Sequence, residues 1–178
     1  MRLADNWSTE RLLIRRAILD DVKELNQICN SWDDKKYLEG NEFDEGYIEN
    51  CIINGDLPPI ENADKNNYYI MAILDFKGRI VGFFDLYHGY PNIETIWLGI
   101  FVINKEVQGS AYGQEVIKSI SKECKKSDWS SIGLGVYLKN WKGLRFWNNN
   151  GFNKIISING DKEYSDKTFA LIGLTKEL

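Results

Sequence analysis

The segment Gln-Gly-Ser-Ala-Tyr-Gly at residues 108–113 contains the residue types of a phosphate-binding turn. It follows an apolar run, IWLGIFVI, and precedes QEVIKSISKECKK, whose apolar residues recur at helical spacing. The first turn of a helix presents unpaired N–H groups and a partial positive charge, and Gly109 and Gly113 would let an anion approach the backbone. The segment lacks the Lys-Ser/Thr ending of a nucleotide P-loop and the three-glycine dinucleotide spacing. Alone, it predicts either a phosphate site or a plain strand-to-helix turn.

The usual groupings of catalytic side chains are sparse in this chain. His88 is the single histidine, and no Gly-x-Ser-x-Gly elbow supplies a nucleophile for it. Cys29, Cys51 and Cys124 are far apart in sequence and form no CxxC or Cys/His cluster of the kind that binds zinc. We therefore expect no metal site, no Ser-His-Asp or Cys-His hydrolase, and a reduced, cytoplasmic environment.

Composition and charge limit the remaining functional classes. The 178 residues are 43% hydrophobic and include 3 prolines, which predicts one folded domain over residues 1–178. The 22 basic and 26 acidic residues give a net charge of −4, which argues against nucleic acid as a partner. There is no signal-peptide pattern and no apolar stretch near the roughly 20 residues that a membrane span requires. We expect a soluble protein without a membrane partner.

Hydrophobic periodicity predicts the elements that would position the loop. In chain order they are a strand, two helices, three strands, a helix, a strand, a short helix and two strands. The three central strands are YYIMAILDF, RIVGFFDLYHG and ETIWLGIFVIN, and the short turns between them predict an antiparallel meander. Asn140 is a suitable N-cap for the short helix WKGLRFWNN. We expect an α/β fold with one mixed, mostly antiparallel sheet of about seven strands and helices on both faces.

The loop and the short helix together match a known pattern. FVINKEVQGSAYGQEVI, followed later in the chain by VYLKNWKGLRFWNNNGF, resembles the two central motifs of the GNAT superfamily of acyl-CoA-dependent N-acyltransferases. The opening TERLLIRRA is similar to the first strand of that family, so the resemblance covers nearly the whole chain in element order. It implies a GNAT-like fold and an acetyltransferase that moves acetyl from acetyl-CoA to an amine. The amine would attack directly, through a tetrahedral intermediate.

The resemblance also implies which residues bind the co-substrate. Residues 108–113 match the family's pyrophosphate loop, whose backbone amides hold coenzyme A: Gln108, Gly109, Ser110, Ala111, Tyr112 and Gly113. Phe101, Val102 and Ile103 match the end of the strand that pairs with the pantetheine arm, where one amide would polarise the thioester carbonyl. Asn140 and Trp147 match positions that contact the far end of that arm.

Two residues depart from the family pattern. Ala111 stands where the middle glycine of the loop is usual, and at positive φ an alanine would cost about 1–2 kcal/mol. Trp147 stands where many members have a tyrosine that protonates the leaving thiolate, and an indole N–H cannot serve as that acid. A thiol of pKa about 8.5 needs little help to leave, and Tyr112 or Tyr137 are other possible donors. The departures leave open an alternative, a coenzyme-A-binding module that has lost transfer chemistry.

The attacking amine must be neutral, so a proton acceptor is expected. Glu94 is the first choice because it opens the strand that would carry the thioester, although a solvated carboxylate at a strand end is the simpler interpretation. His88 has a suitable natural pKa near about 6.5, with a solvent-exposed turn histidine as its alternative. Asp85 is the third choice, with a cross-strand hydrogen bond as its alternative.

The acceptor itself is not identified by the sequence. We expect a small-molecule or peptide amine, bound by roughly residues 30–64 and 88–92, and a monomer or homodimer. The helical part of that region is acidic, through Asp33, Asp34, Glu39, Glu42, Asp44 and Glu45. This acidity is compatible with a cationic acceptor and equally with a solvated surface.

Overall fold

The computed structural model describes residues 2–178 and contains one eight-stranded sheet. Its strands are β1 (Asn6–Ser8), β2 (Leu12–Arg16), β3 (Tyr68–Asp75), β4 (Ile80–His88), β5 (Thr95–Ile103), β6 (Ser131–Tyr137), β7 (Lys154–Gly160) and β8 (Ala170–Glu177). Their order across the sheet is β1-β2-β3-β4-β5-β6-β8-β7, and every neighbouring pair is antiparallel except β5 and β6. The mixed, mostly antiparallel sheet expected from the sequence is therefore confirmed, with the short β1 added to the seven predicted strands.

The parallel pair β5–β6 is joined over only part of its length. Its last paired residues are Leu98 and Leu134, whereas β5 continues to Ile103 and β6 to Tyr137. Beyond that point β5 still pairs with β4, and β6 still pairs with β8. Because each strand is held by its outer neighbour, the two diverge and leave an opening in the middle of the sheet.

Five α-helices cover the two faces of the sheet. They are α1 (Val22–Asn30), α2 (Lys35–Glu39), α3 (Tyr47–Ile53), α4 (Tyr112–Lys126) and α5 (Trp141–Asn149). Residues of β3 alternate between two cores, with Met71 and Ile73 in one, and Ile70 and Ala72 in the other. The first core includes apolar residues of α4 and α5, and the second includes those of α1 and α3. The helices therefore lie on both faces, as expected, and bring the starts of α4 and α5 to the diverging end of β5.

No helix within residues 2–178 is long and apolar enough to cross a membrane.

Candidate active site

A groove begins where β5 and β6 diverge and continues to the start of α4. Its first part is a cavity of about 360 Å³ lined by Gly99 and Ile100 of β5 and by Val136 and Tyr137 of β6, among others. Its second part is a cavity of about 560 Å³ lined by the end of β5 and the loop at residues 107–114. Both cavities are lined by Trp32, Phe101, Asn140 and Trp147. The structure therefore brings every predicted co-substrate residue except Ser110 to the wall of one groove.

The loop before α4 presents unpaired backbone amides. Gly109 and Ala111 have φ angles of 82° and 62°, and α4 begins at Tyr112 without a side-chain cap. The amides of Gly109, Ala111, Tyr112, Gly113 and Gln114 donate to no protein group within residues 2–178. Such amides at a helix start, together with the helix dipole, favour an anion such as a pyrophosphate. The loop therefore fits the anionic group that the sequence resemblance predicts for it.

Arg11, which no sequence pattern indicated, bonds to this loop and to the first turn of α4. Its Nη1 donates to the carbonyl oxygen of Ser110 at 3.0 Å, and its Nε donates to Oε2 of Glu115 at 2.7 Å. The guanidinium carbon lies 4.7 Å from the centre of the Tyr112 ring. At the start of the loop, Nε2 of Gln108 donates to the carbonyl of Ile103 at 3.0 Å. These bonds engage the carbonyl of Ser110 in the loop and that of Ile103 at the end of β5, and they leave the loop amides available.

An aromatic cluster forms the wall of the groove at α5. Trp147 is 9% exposed and lies edge-on to Phe101 and Phe152, with ring centres 5.6 and 5.2 Å apart. Phe146 stacks on Phe101 at 5.9 Å. Asn140 accepts a hydrogen bond from the Gly143 amide at 2.8 Å, which is the helix N-cap that the sequence predicted. Trp147 therefore has a packing role in the core while also contacting the groove.

Asp85 is buried beneath the diverging part of β5. Its Oδ1 accepts hydrogen bonds from the amides of Gly99 and Ile100, both at 2.9 Å, and its Oδ2 accepts one from the hydroxyl of Tyr68 at 2.9 Å. The pairing of β4 with β5 is irregular between Phe84 and Leu86, which is where the carboxylate inserts. A Cβ on Gly99 would lie 2.5 Å from Oδ1, so the site requires glycine there. Burial raises the pKa of Asp85 to about 7, against the opposing effect of these hydrogen bonds.

The family can now be assigned from sequence comparison. A sequence model described as "Acetyltransferase (GNAT) family" matches residues 19–152, which include the loop, β5 and α5. The chain belongs to this family. GNAT acetyltransferases use acetyl-CoA as co-substrate.

Individual relatives agree with this assignment. A protein of Bacillus subtilis subsp. natto (strain BEST195) named "Probable spermine N(1)-acetyltransferase" is 27% identical over 117 residues, covering 58% of this chain and 73% of that protein. Among solved structures, an acetyltransferase from Thermus thermophilus has a TM-score of 0.73 at 17% identity, covering 97% of this chain and 100% of that one. A spermidine N-acetyltransferase chimera that includes the Vibrio cholerae enzyme has a TM-score of 0.66 at 14% identity, covering 93% and 94%. The structural likenesses show the GNAT fold.

The structure does not bring Glu94 to the groove of this GNAT protein. Glu94 is exposed in the turn before β5 and lines neither cavity, while its amide and carbonyl bond to Asn92 and Ser130. Because a strand advances about 3.4 Å per residue, Glu94 lies roughly 17 Å along β5 from Gly99. The sequence predicted that Glu94 opens this strand, whereas Glu94 lies in the turn just before β5, and the sequence could not show which end of β5 faces the groove.

His88 is buried, whereas the simpler sequence interpretation had it in a solvent-exposed turn. It is 4% exposed at the end of β4, its Nδ1 lies 3.1 Å from the carbonyl oxygen of Asn67, and its ring stacks on Trp129. Burial lowers the pKa of His88 to about 4. His88 also lines neither cavity, so it has the position of a packed core residue.

The groove is acidic and aromatic at the end farther from the loop. Its wall there includes Glu39, Glu42, Asp44 and Asp56 with one basic residue, Lys35, and the rings of Trp32, Phe43, Tyr47 and Trp97. Nζ of Lys35 forms an ion pair with Oε2 of Glu39 at 3.2 Å and donates a hydrogen bond to Oδ1 of Asn41 at 2.8 Å. Asp44 forms no ion pair within residues 2–178. Part of the acidic region noted in the sequence therefore lines the groove, and this wall has a surplus of negative charge.

Within residues 2–178, no group of three or more His, Cys, Asp or Glu side chains is arranged to hold a metal ion.

The positive φ of Ala111 predicts that glycine is more stable at this position. Relief of about 1–2 kcal/mol of backbone strain, less about 0.4–1 kcal/mol for the greater freedom of glycine in the unfolded chain, leaves a gain near 1 kcal/mol for Ala111→Gly. Urea denaturation would measure it as a higher midpoint with an unchanged slope. Ser110→Gly is the control, because Ser110 is not at positive φ, and it should lower the midpoint. A lower midpoint for both variants would contradict the strain assigned to Ala111.

The raised pKa of Asp85 predicts that its burial destabilises the protein as pH rises. Between about pH 4 and 7 the folded state retains a proton that the unfolded chain releases, so stability falls by up to roughly 1.4 kcal/mol per pH unit. Asp85→Asn removes this pH-dependent loss of stability. His88 contributes an opposite slope below its normal pKa, but it does so equally in both proteins. The stability of Asp85→Asn relative to wild type should rise from pH 4 to 7 and then level off; a constant difference in denaturation experiments would contradict it.

Proposed function

We propose that this protein transfers the acetyl group of acetyl-CoA to an amine of a small cationic molecule by direct attack. The observation that carries the proposal is the single groove that connects the free amides at the start of α4 to the gap between β5 and β6. One end of the groove suits a pyrophosphate and the other suits a positively charged acceptor. The gap lies between them, where an activated carbonyl and an amine would meet.

The residues for co-substrate binding divide into an anchor and a track. The amides of residues 109 and 111–114 would hold the pyrophosphate. Beyond Leu98, no strand within residues 2–178 pairs with β5 on the side of β6, so the backbone of Phe101, Val102 and Ile103 would pair with the pantetheine arm. Asn140 and Trp147 would contact that arm from α5. Acetyl-CoA supplies an activated thioester, and an amide of β5 would stabilise the charge that develops on its carbonyl oxygen.

The proposed acetyl transfer does not depend on a general acid among the residues of the groove. Trp147 packs among phenylalanines and has no acidic proton, and the thiol of coenzyme A, with a pKa of about 8.5, leaves without a strong acid. Tyr137 lines the gap and would serve as a donor if one is used. Glu94 remains a predicted proton acceptor, but its exposed position outside the groove gives it no support.

The proposed acceptor is an amine that carries a further positive charge. The acidic wall would attract such a molecule, and the aromatic rings beside it would contact its cationic and apolar parts. Two relatives are named for spermine and spermidine, which are amines of this kind. The alternative function, coenzyme A binding without transfer, predicts that no amine releases the thiol.

A charge introduced at position 114 tests whether the start of α4 binds the pyrophosphate. Gln114 lines the cavity at the first turn of α4, where a negative charge favours the helix itself but would repel a pyrophosphate. Gln114→Glu should weaken acetyl-CoA binding about tenfold in titration calorimetry without lowering thermal stability, and Gln114→Lys should not weaken it. Equal affinities of wild type and both variants would place the co-substrate elsewhere.

The acidic wall is tested by acceptor kinetics. We expect coenzyme A release with spermine or spermidine, and several-fold higher KM for these amines in Asp44→Asn and Glu42→Gln, with the KM for acetyl-CoA unchanged. Glu49→Gln is the matched control, since Glu49 is an exposed carboxylate on α3 outside the groove. A singly charged amine such as butylamine should be insensitive to all three variants. If no thiol is released with polyamines, diamines, monoamines or peptide N-termini, only the alternative function remains, which is coenzyme A binding without transfer.

A further inference from the structure

The strand β5 contains one extra residue relative to β4 at the point where the groove opens. The register of the pair changes between Phe84 and Leu86, so that Asp85 alone lies opposite two residues of β5, Gly99 and Ile100. The amides of Gly99 and Ile100 both donate to Oδ1 of Asp85, at 2.9 Å each. In a regular strand, successive amides point to opposite edges. The extra residue therefore interrupts the alternation of β5, and the carboxylate of Asp85 bonds to both amides on one side.

The pairing with β4 shows which amide of β5 faces the groove. The amide of Asn104 donates to the carbonyl of Val81 at 2.9 Å. Opposite residues of an antiparallel pair alternate between bonded and non-bonded, so the amide of Val102 also points to β4, and those of Ile103 and Phe101 point away from it. The strand β6 no longer pairs with β5 there. The amide of Phe101 therefore faces the groove, and Phe101 lines both of its cavities.

Asp85 makes Phe101 the first residue with a groove-facing amide beyond Leu98, where pairing with β6 ends. If the alternation of β5 were regular, the amide of Gly99, two residues before Phe101, would also point to the groove. It points instead to Asp85 on β4. The carboxylate thus separates the paired part of β5 from the part that is open to the groove.

The carboxylate of Asp85 is fixed in this position. Its second oxygen, Oδ2, accepts a hydrogen bond from the hydroxyl of Tyr68 at 2.9 Å. Asp85 is 3% exposed, so solvent does not compete for the two amides. It lines neither cavity of the groove. Any effect of Asp85 on bound substrates therefore acts through the backbone of β5.

We propose that Asp85 is a positioning residue for acetyl transfer: by bonding to the amides of Gly99 and Ile100, it directs the amide of Phe101 to the carbonyl oxygen of the bound thioester. The inference rests on the proposed function and assigns the β5 amide that stabilises this oxygen. A donor aimed at charge that develops during the reaction raises kcat more than it raises affinity. The affinity for acetyl-CoA is left mainly to the amides of residues 109 and 111–114.

Turnover and acetyl-CoA affinity of two Asp85 variants test the assignment. We would measure kcat by thiol release at pH 8 with saturating spermidine, and the Kd of acetyl-CoA by titration calorimetry. Asp85→Asn keeps an oxygen that accepts from both amides, so it should lower kcat by a few fold at most. Asp85→Ala removes the acceptor and should lower kcat on the order of 10²-fold, while the Kd stays within a few fold of the wild-type value.

Asp75 provides a matched control for the loss of a buried carboxylate. Its Oδ1 accepts from the amides of Lys77 and Arg79 at 2.9 and 3.0 Å, and it is 7% exposed. It lines neither cavity of the groove. Asp75→Ala should lower thermal stability, as Asp85→Ala does, but leave kcat within a few fold of wild type. Circular dichroism at the assay temperature would check that each variant is folded.

A substitution at Gly99 tests the same contact from β5. A Cβ at this position would lie 2.5 Å from Oδ1 of Asp85, so Gly99→Ala displaces the carboxylate without altering it chemically. Gly99→Ala should therefore lower kcat about as much as Asp85→Ala. Because both changes break one contact, the double variant should be no slower than either single variant.

The infrared spectrum of bound acetyl-CoA, isotope-labelled at the acetyl carbonyl, reports the hydrogen bond to the thioester without any acceptor amine. The carbonyl stretch should lie at a lower frequency in wild type and Asp85→Asn than in Asp85→Ala and Gly99→Ala. This measurement distinguishes an amide aimed at the thioester from a general loss of stability, which does not shift the frequency in the folded complex.

Three results would overturn the inference. They are a carbonyl frequency that is the same in all four proteins, a kcat of Asp85→Asn as low as that of Asp85→Ala, and losses of kcat that multiply in the double variant. If wild type releases thiol but shows any of these results, acetyl transfer stands and the role of Asp85 fails. If wild type releases no thiol with any amine, the proposed transfer fails, and the carbonyl frequencies alone decide the role of Asp85.

Discussion

Two backbone amides of β5, those of Gly99 and Ile100, bond to the side-chain carboxylate of Asp85 on β4 and not to the backbone of a neighbouring strand. This carboxylate therefore supplies the hydrogen-bond acceptors that these amides lack where the regular pairing of β4 with β5 is interrupted. Directly beyond it β5 leaves β6, and the groove opens. This arrangement requires glycine at position 99, because a side chain there would clash with Oδ1 of Asp85.

The second half of the groove depends on a contact of a different kind. Arg11 occupies the carbonyl of Ser110 and also bonds to Glu115 on the first turn of α4. The Ser110 carbonyl is engaged by a cation from the turn that precedes β2, and the adjacent amides have no competing partner within residues 2–178. Ala111 completes the turn at positive φ, so the loop is held in a strained conformation by bonds at both of its ends.

Features set by local sequence were predictable, and features set by distant contacts were not. The glycines of the loop, the Asn140 cap and the strand periodicity are local, and each predicted its element. Arg11 meets its loop partner 99 positions away, and no short pattern encodes that meeting. Periodicity also fails to show which end of a strand faces the groove. It could not show that Glu94 lies just before the start of β5, away from the groove, or that His88 is covered by Trp129.

The central claim is that one groove holds the co-substrate at the start of α4 and directs its acetyl group to the gap between β5 and β6. A crystal structure of the protein with acetyl-CoA would test it most directly. The account predicts the pyrophosphate within hydrogen-bonding distance of the amides of residues 109–114, and the acetyl group between Gly99 and Tyr137. An acetyl-CoA molecule bound outside this groove, or one whose acetyl group lies away from the gap, would contradict it.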